Sequence, residues 1–161
     1  MNYKFKSSSI TILYLISALI AILLYNLQLF KVEIFGTILI LLTTIYFSLK
    51  SYFLEYDKFF KELFIGFNNR YNEINENLNS ITNETQLNDN EKKTVIDYFN
   101  ICAEEYMWNK RGRIPLGVYS SWEEGSLFHL RKPPIQELIV LELKVNKMSY
   151  YGWIEYIHKK I

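Results

Sequence analysis

The side chains with the types and spacing for chemistry gather in a few places: the acidic pairs Glu104–Glu105 and Glu123–Glu124, the basic groups Lys110, Arg111, Arg113 and Arg131, Lys132, and the histidines His129 and His158. Neighbouring residues on a helix point about 100° apart, so neither acidic pair can address one substrate without help from another element. Neither histidine has a second histidine three or four positions away, the spacing that makes a local metal site recognisable. No Arg is followed by His after four to six residues, and no phosphate-cradling Gly-rich loop or Gly-x-Ser-x-Gly elbow occurs. Cys102 is the one cysteine in the chain, which excludes an internal disulfide and most cysteine-rich metal sites. With no nucleophile–base pair to name, the residues assign no catalytic group, no metal and no cofactor.

The basic constellation has two readings. In one, Arg113 holds a small anionic ligand against Tyr119 or Trp122, with Arg111 and Arg131 contributing charge. In the other, the same cations sit at helix C-termini, where the dipole favours them, and pair with Glu104 or Glu105. If the two helices form an antiparallel hairpin, the groups at 110–113 and 131–132 fall at opposite ends and need not converge. Residues 82–161 carry eleven Lys/Arg and eleven Asp/Glu, so a nucleic-acid partner is disfavoured by charge.

The elements that must position these groups read as helices. Asn88 or Asp89 can cap a helix with Glu91 in its first turn and Val95, Ile96, Phe99, Cys102 and Tyr106 on its apolar face, stopped by Gly112. Pro115 suits the start of a second helix running through Tyr119, Trp122, Leu127 and Leu130 and ending before Pro133–Pro134. Pro134 can open a third. The run IQELIVLELKV is rich enough in Ile, Val and Leu to serve as a buried strand, but a lone strand would lack a partner. Ser149 is the expected cap of a last helix ending in YIHKKI, whose lysines suit a C-terminus.

The stretch VIDYFNICAEEYMWNKRGRIPLGVYSSWEEG, residues 95–125, resembles bacterial proteins grouped as phage abortive infection proteins, short chains that often carry N-terminal membrane helices. The features that carry the likeness are Phe99-Asn100, Glu104 and Glu105 on the same helix, the turn Arg111-Gly112-Arg113-Ile114, and the aromatic helix with Tyr119 and Trp122. The likeness covers about a fifth of the chain and implies an all-helical cytosolic domain and a place in phage defence, without a mechanism.

The first third of the chain has a different character. No charge occurs from Ile10 to Phe30 or from Ile34 to Leu49, two stretches that approach or reach the roughly 20 residues needed to cross a bilayer core. Lys4 and Lys6 ahead of an apolar run also fit a secretory signal, but no small-x-small cleavage site follows and a second span begins at once. Lys31 and Glu33 are the charges between the spans, whereas Lys4, Lys6, Lys50, Lys58 and Lys61 flank their outer ends. The positive-inside bias then places both termini in the cytoplasm.

Beyond the second span, Phe53, Tyr56, Phe60, Leu63, Phe67, Tyr71, Ile74, Leu78 and Ile81 recur at three- and four-residue intervals, a heptad seam with one four-residue insertion. No Pro interrupts it, so one helix from about Glu33 to Ile81 is expected, roughly 70 Å long. The seam is to be covered by the cytosolic helices, by a second copy of the chain, or by both. A second stripe, Thr37, Thr44, Ser48 and Ser51, lies to one side of it. It serves either as a packing face against Ser17 and Ala21 of the first span or as the lining of an oligomeric pore.

The expected fold is an all-α membrane protein. Residues 1–54 form a transmembrane hairpin with spans at about 9–30 and 33–54, 55–81 a helical stalk, 82–90 a linker and 91–161 a small cytosolic helical domain. The expected place is the inner (cytoplasmic) membrane. The expected role is a non-enzymatic interaction or effector subunit with the lipid bilayer, itself through the stalk, and a protein or small anionic ligand as partners. A ligand-gated, membrane-perturbing oligomer is the alternative and an unrecognised enzyme the third.

Overall fold

The computed structural model describes residues 3–83 and 86–161, with side chains from residue 8 onward. Lys4 and Lys6, used above for orientation, lie outside the described side chains, and residues 84 and 85 of the 82–90 linker lie outside the described residues. Every regular element among the described residues is helical. These are α1 (Tyr3–Asn26), α2 (Val32–Ser80), α3 (Asp89–Lys110), α4 (Leu116–Leu130), α5 (Pro133–Val145), a 3-10 turn (Lys147–Tyr150) and α6 (Trp153–His158). The chain divides into two compact units that meet between Phe59 and Phe60, within α2.

The first unit holds α1 and the first part of α2, and both helices are long and apolar enough to cross a membrane. They are joined by a tight turn in which Leu29 N donates to Leu24 O (3.1 Å) and Gln28 takes a left-handed conformation (φ 57°). That is a Schellman closure with glutamine where glycine is usual. Tyr14 stacks on Tyr46 with ring centres 4.6 Å apart, and Tyr25 on Phe35 at the same separation. Tyr14 Oη lies 3.2 Å from Thr43 Oγ1 and Thr11 Oγ1 3.4 Å from Tyr46 Oη.

These contacts correct the expected packing stripe. Ser17 and Ala21 are on the inner face of α1, with Ala21 buried, but the face of α2 that meets α1 carries Phe35, Thr43 and Tyr46. Thr37, Thr44, Ser48 and Ser51 are exposed. The hydroxyls of Thr37 and Thr44 donate back to Glu33 O (2.9 Å) and Ile40 O (2.8 Å) on their own helix. The rings decided the face: stacked tyrosines pack closely and their hydroxyls reach across to the other helix, whereas the hydroxyls of Thr37 and Thr44 are bonded within their own.

The second unit is built around α3. Asn88 and Glu91 form a reciprocal capping box, Glu91 N donating to Asn88 Oδ1 (3.0 Å) and Asn88 N to Glu91 Oε2 (2.8 Å). At the other end Arg113 N reaches back to Trp108 O (3.0 Å) around Gly112, whose φ of 68° suits a residue without a Cβ. The main core gathers Leu78, Val95, Phe99, Leu130, Ile135, Ile139, Ile154 and Ile157, and a second cluster joins Phe67, Ile101, Ile114 and Tyr119. From Phe60 on, the seam of α2 is thus covered from within the chain: Phe60, Leu63, Phe67 and Ile74 belong to or pack on the second cluster, and Tyr71, Ile74, Leu78 and Ile81 on the first. Tyr56 falls in the first unit and is half-buried there.

Two local details follow from packing. The run from Ile135 to Val145 is helical, burying Ile135, Leu138, Ile139 and Glu142 at helical spacing. The strand alternative is thereby removed. Ser149 does not cap the last helix. It lies exposed in the 3-10 turn, and Tyr151 and Gly152 follow with left-handed φ of 52° and 84°. The helix starts at Trp153, because this reversal lets Tyr150 and Trp153 both lie against Phe99, at 6.3 and 5.5 Å between ring centres.

Candidate functional site

Three helix faces in the second unit line a half-open cavity of about 210 Å3. From α2 come Phe67, Asn68 and Tyr71, one turn apart. Tyr98, Ile101, Cys102 and Glu105 of α3 share one face at spacings of three, four and seven. From α4 come Ser121, Trp122, Gly125 and Ser126. The space exists because α4 presents small residues on either side of Trp122. A Cβ added to Gly125 would meet no atom within 4 Å.

The rings form two pairs. Phe67 and Trp122 meet edge to face at 5.8 Å, and Tyr71 and Tyr98 are tilted at 6.1 Å. Behind the second pair stands His129, buried, with Nε2 3.4 Å from Tyr71 Oη and its ring against Tyr98. Its Nδ1 is buried without a hydrogen-bond partner among the described residues. Burial, aided by Lys132, lowers the His129 pKa and favours the neutral imidazole.

The two adjacent acids have opposite fates. Glu104 receives a bidentate pair from Arg70, Nη1 to Oε2 at 2.7 Å and Nη2 to Oε1 at 3.0 Å. Glu105, one position on, turns into the cavity and has no hydrogen bond or ion pair among the described residues. Burial pushes its pKa up to about 8, Arg70 opposing the rise and Glu104 adding to it. Burial likewise pushes the Cys102 thiol and the Tyr98 phenol well above their ordinary values. Near neutral pH the lining groups are therefore uncharged, and a protonated Cys102 is a poor nucleophile.

The five residues expected to bind an anion are not brought together. Arg111 lies over the Trp108 ring at 5.3 Å. Arg113 is exposed in the turn after α3, and Arg131 is exposed beyond the far end of α4, some 20 Å along that helix. Tyr119 is buried with its hydroxyl donating to Glu123 Oε1 (3.3 Å). Of the five, Trp122 alone lines the cavity. The expected pairing of the basic turn with Glu104 is also replaced: Arg70 supplies the partner, from 34 positions away. Lys132 instead donates to Leu78 O (3.2 Å) and Ile81 O (2.8 Å), capping the end of α2.

Sequence reasoning passes over Glu105 as a lone site, although a signal was there: Tyr98, Cys102 and Glu105 share one helix face, so a carboxylate stands among otherwise apolar and aromatic positions. Nothing in the sequence brings Tyr71 or Trp122 to that face. The chain matches no protein-family model, no curated protein and no solved structure at a significant level. Function therefore rests on the geometry.

Proposed function

We propose that this chain is a membrane-anchored, non-enzymatic interaction or effector subunit, in which α1 and the first part of α2 form a hairpin in the inner membrane and the second unit works as a cytosolic binding head. The observation that carries the reading is the inverted placement of apolar side chains in the first unit. Leu13, Ile40 and Phe47 are 65%, 69% and 64% exposed, and Ala21 is the one buried apolar residue described there. Water disfavours such a surface strongly, and hydrocarbon does not. The lysines at 50, 58 and 61, set against Lys31 and Glu33 in the turn, favour both termini in the cytoplasm.

A binding role, as opposed to catalysis, is supported by the state of the cavity, whose ionisable groups are held neutral and whose thiol is buried. Phage defence, which the likeness of residues 95–125 suggests, is the process to test first. A reporter fused after Ile161 should behave as cytoplasmic and one at Val32 as external; an external C-terminus overturns the topology. Expression of the full chain should lower phage plating at least tenfold, and unchanged plating across a phage panel removes the defence role while leaving the anchor intact.

A further inference from the structure

Four aromatic residues, Phe67, Tyr71, Tyr98 and Trp122, line the cavity together with its single carboxyl, Glu105, and no Lys or Arg is among the lining residues. We propose that this cavity binds a small organic cation, an ammonium or quaternary ammonium head, with Glu105 as counter-ion and the rings as its cage. The proposal deepens the binding role assigned above to the second unit and is independent of the membrane topology.

The chemistry is directional. Ring faces carry negative potential and attract a desolvated cation, most strongly at tryptophan. Glu105 is unneeded by the fold, unlike Glu104, Glu123 and Glu142, each of which accepts a hydrogen bond or ion pair from another part of the second unit. An anion in the same place would meet the Glu105 carboxyl, with the one nearby guanidinium already committed to Glu104. The volume of about 210 Å3 lies below the usual range for drug-sized ligands, so it suits a head group of about ten heavy atoms or fewer.

Binding is coupled to a proton. Facing Glu105 are Arg70 and the Tyr71 phenol from α2, and Glu104, Cys102 and Tyr98 from α3. From α4 no ionisable side chain lines the cavity, and His129 of that helix stands behind the tyrosines with Nε2 3.4 Å from Tyr71 Oη. In the empty cavity Glu105 holds its proton to about pH 8. A cation needs the carboxylate, so each binding event below that pH releases one proton, and affinity should rise about tenfold per pH unit toward pH 8 and level off above it.

The test uses the full chain in dodecylmaltoside, titrated calorimetrically with choline, tetramethylammonium, butylammonium, and 3,3-dimethylbutan-1-ol, the uncharged carbon counterpart of choline. At pH 8.5 at least one cation should bind with a Kd of about 0.1 to 5 mM. Choline should exceed its neutral counterpart at least tenfold. Glu105→Gln should lose at least tenfold affinity and the pH dependence while keeping or raising its melting temperature. Trp122→Ala, which removes the ring expected to attract the cation most strongly, should lose at least tenfold affinity for choline. The proposal is overturned if choline and the alcohol bind equally, if no cation saturates below about 50 mM, or if either variant, shown to be folded, binds like wild type. A membrane-topology failure would leave these results unchanged.

Discussion

The two units spend the same kinds of side chain in opposite ways. In the second, Phe99, Leu130 and Ile154 are fully buried and most charged side chains lie outside or in pairs. In the first, leucines and isoleucines of α1 and α2 face outward while the interior contact is made by tyrosines, small residues and hydroxyls. Polarity does not by itself say which way a helix faces, and the membrane setting proposed for the first unit accounts for the contrast. Where water surrounds the helices, apolar area moves inward. Where it does not, packing and hydrogen bonding between helices choose the contact, and small or polar residues are favoured there. The exposed Thr37 and Thr44 fit this contrast, since a hydroxyl donated to its own helix can face hydrocarbon without an unmet hydrogen bond.

The contrast can be broken most sharply in the core of the second unit. Phe99→Ala should cost about 3 to 5 kcal/mol and unfold that unit at lower temperature, whereas Ile40→Ala in the first should change the melting temperature little. Equal losses would mean that Ile40 is covered as Phe99 is. Next in size, Ile40→Asp should cost about 2.5 to 3.5 kcal/mol of membrane insertion, seen as loss of carbonate-resistant membrane fraction. The same change at Val145, exposed in the second unit, should leave that fraction as it was. If both are tolerated, the first unit is not in lipid.

A third, pH-dependent difference belongs to the second unit alone. Burial holds the pKa of Glu105 at about 8 in the folded chain, above the ordinary 4.5 of a glutamate. Its neutral form is therefore compatible with the fold, and wild type loses stability as pH rises from about 4.5 through about 8, as the unfolded chain ionises first. Glu105→Gln should match wild type near pH 4.5 and exceed it by pH 8, on the order of 2 kcal/mol once discounted for the carboxyl's contact with the cavity. Parallel stability curves from pH 4.5 to 9 would show that Glu105 is well solvated. The smallest effects come from two turns of one design. Gly112→Ala should cost about 1 kcal/mol because φ there is left-handed, whereas Gln28→Gly should add up to about 1 kcal/mol in the same motif. Thermal melts of both variants decide it, and changes of the same sign would show that Gln28 is not strained.

Much of this was legible before any coordinates. The Asn88–Glu91 box, the stop at Gly112, the proline openings and the recurring seam from Phe60 to Leu78 all express chemistry within one or two helical turns, and local spacing reports that directly. The start of α6 was not legible, since Tyr151 and Gly152 take left-handed conformations that let two distant rings reach Phe99. The separation of the basic groups was legible in part: an antiparallel hairpin puts those at 110–113 and 131–132 at opposite ends, and α4 holds Arg113 and Arg131 at its two ends.

The sequence by itself determined that the chain is helical, where α2, α3 and α4 begin and end to within a turn, and that the first two helices are long and apolar enough for a bilayer. Those properties follow from composition, periodicity and caps. Only the tertiary structure decided which face of α2 meets α1, which of two adjacent glutamates receives Arg70, and that Tyr71, Glu105 and Trp122 share a cavity. Each of these depends on side chains tens of positions apart. Helix spacing fixes what lies on a face, and only packing fixes what that face will meet.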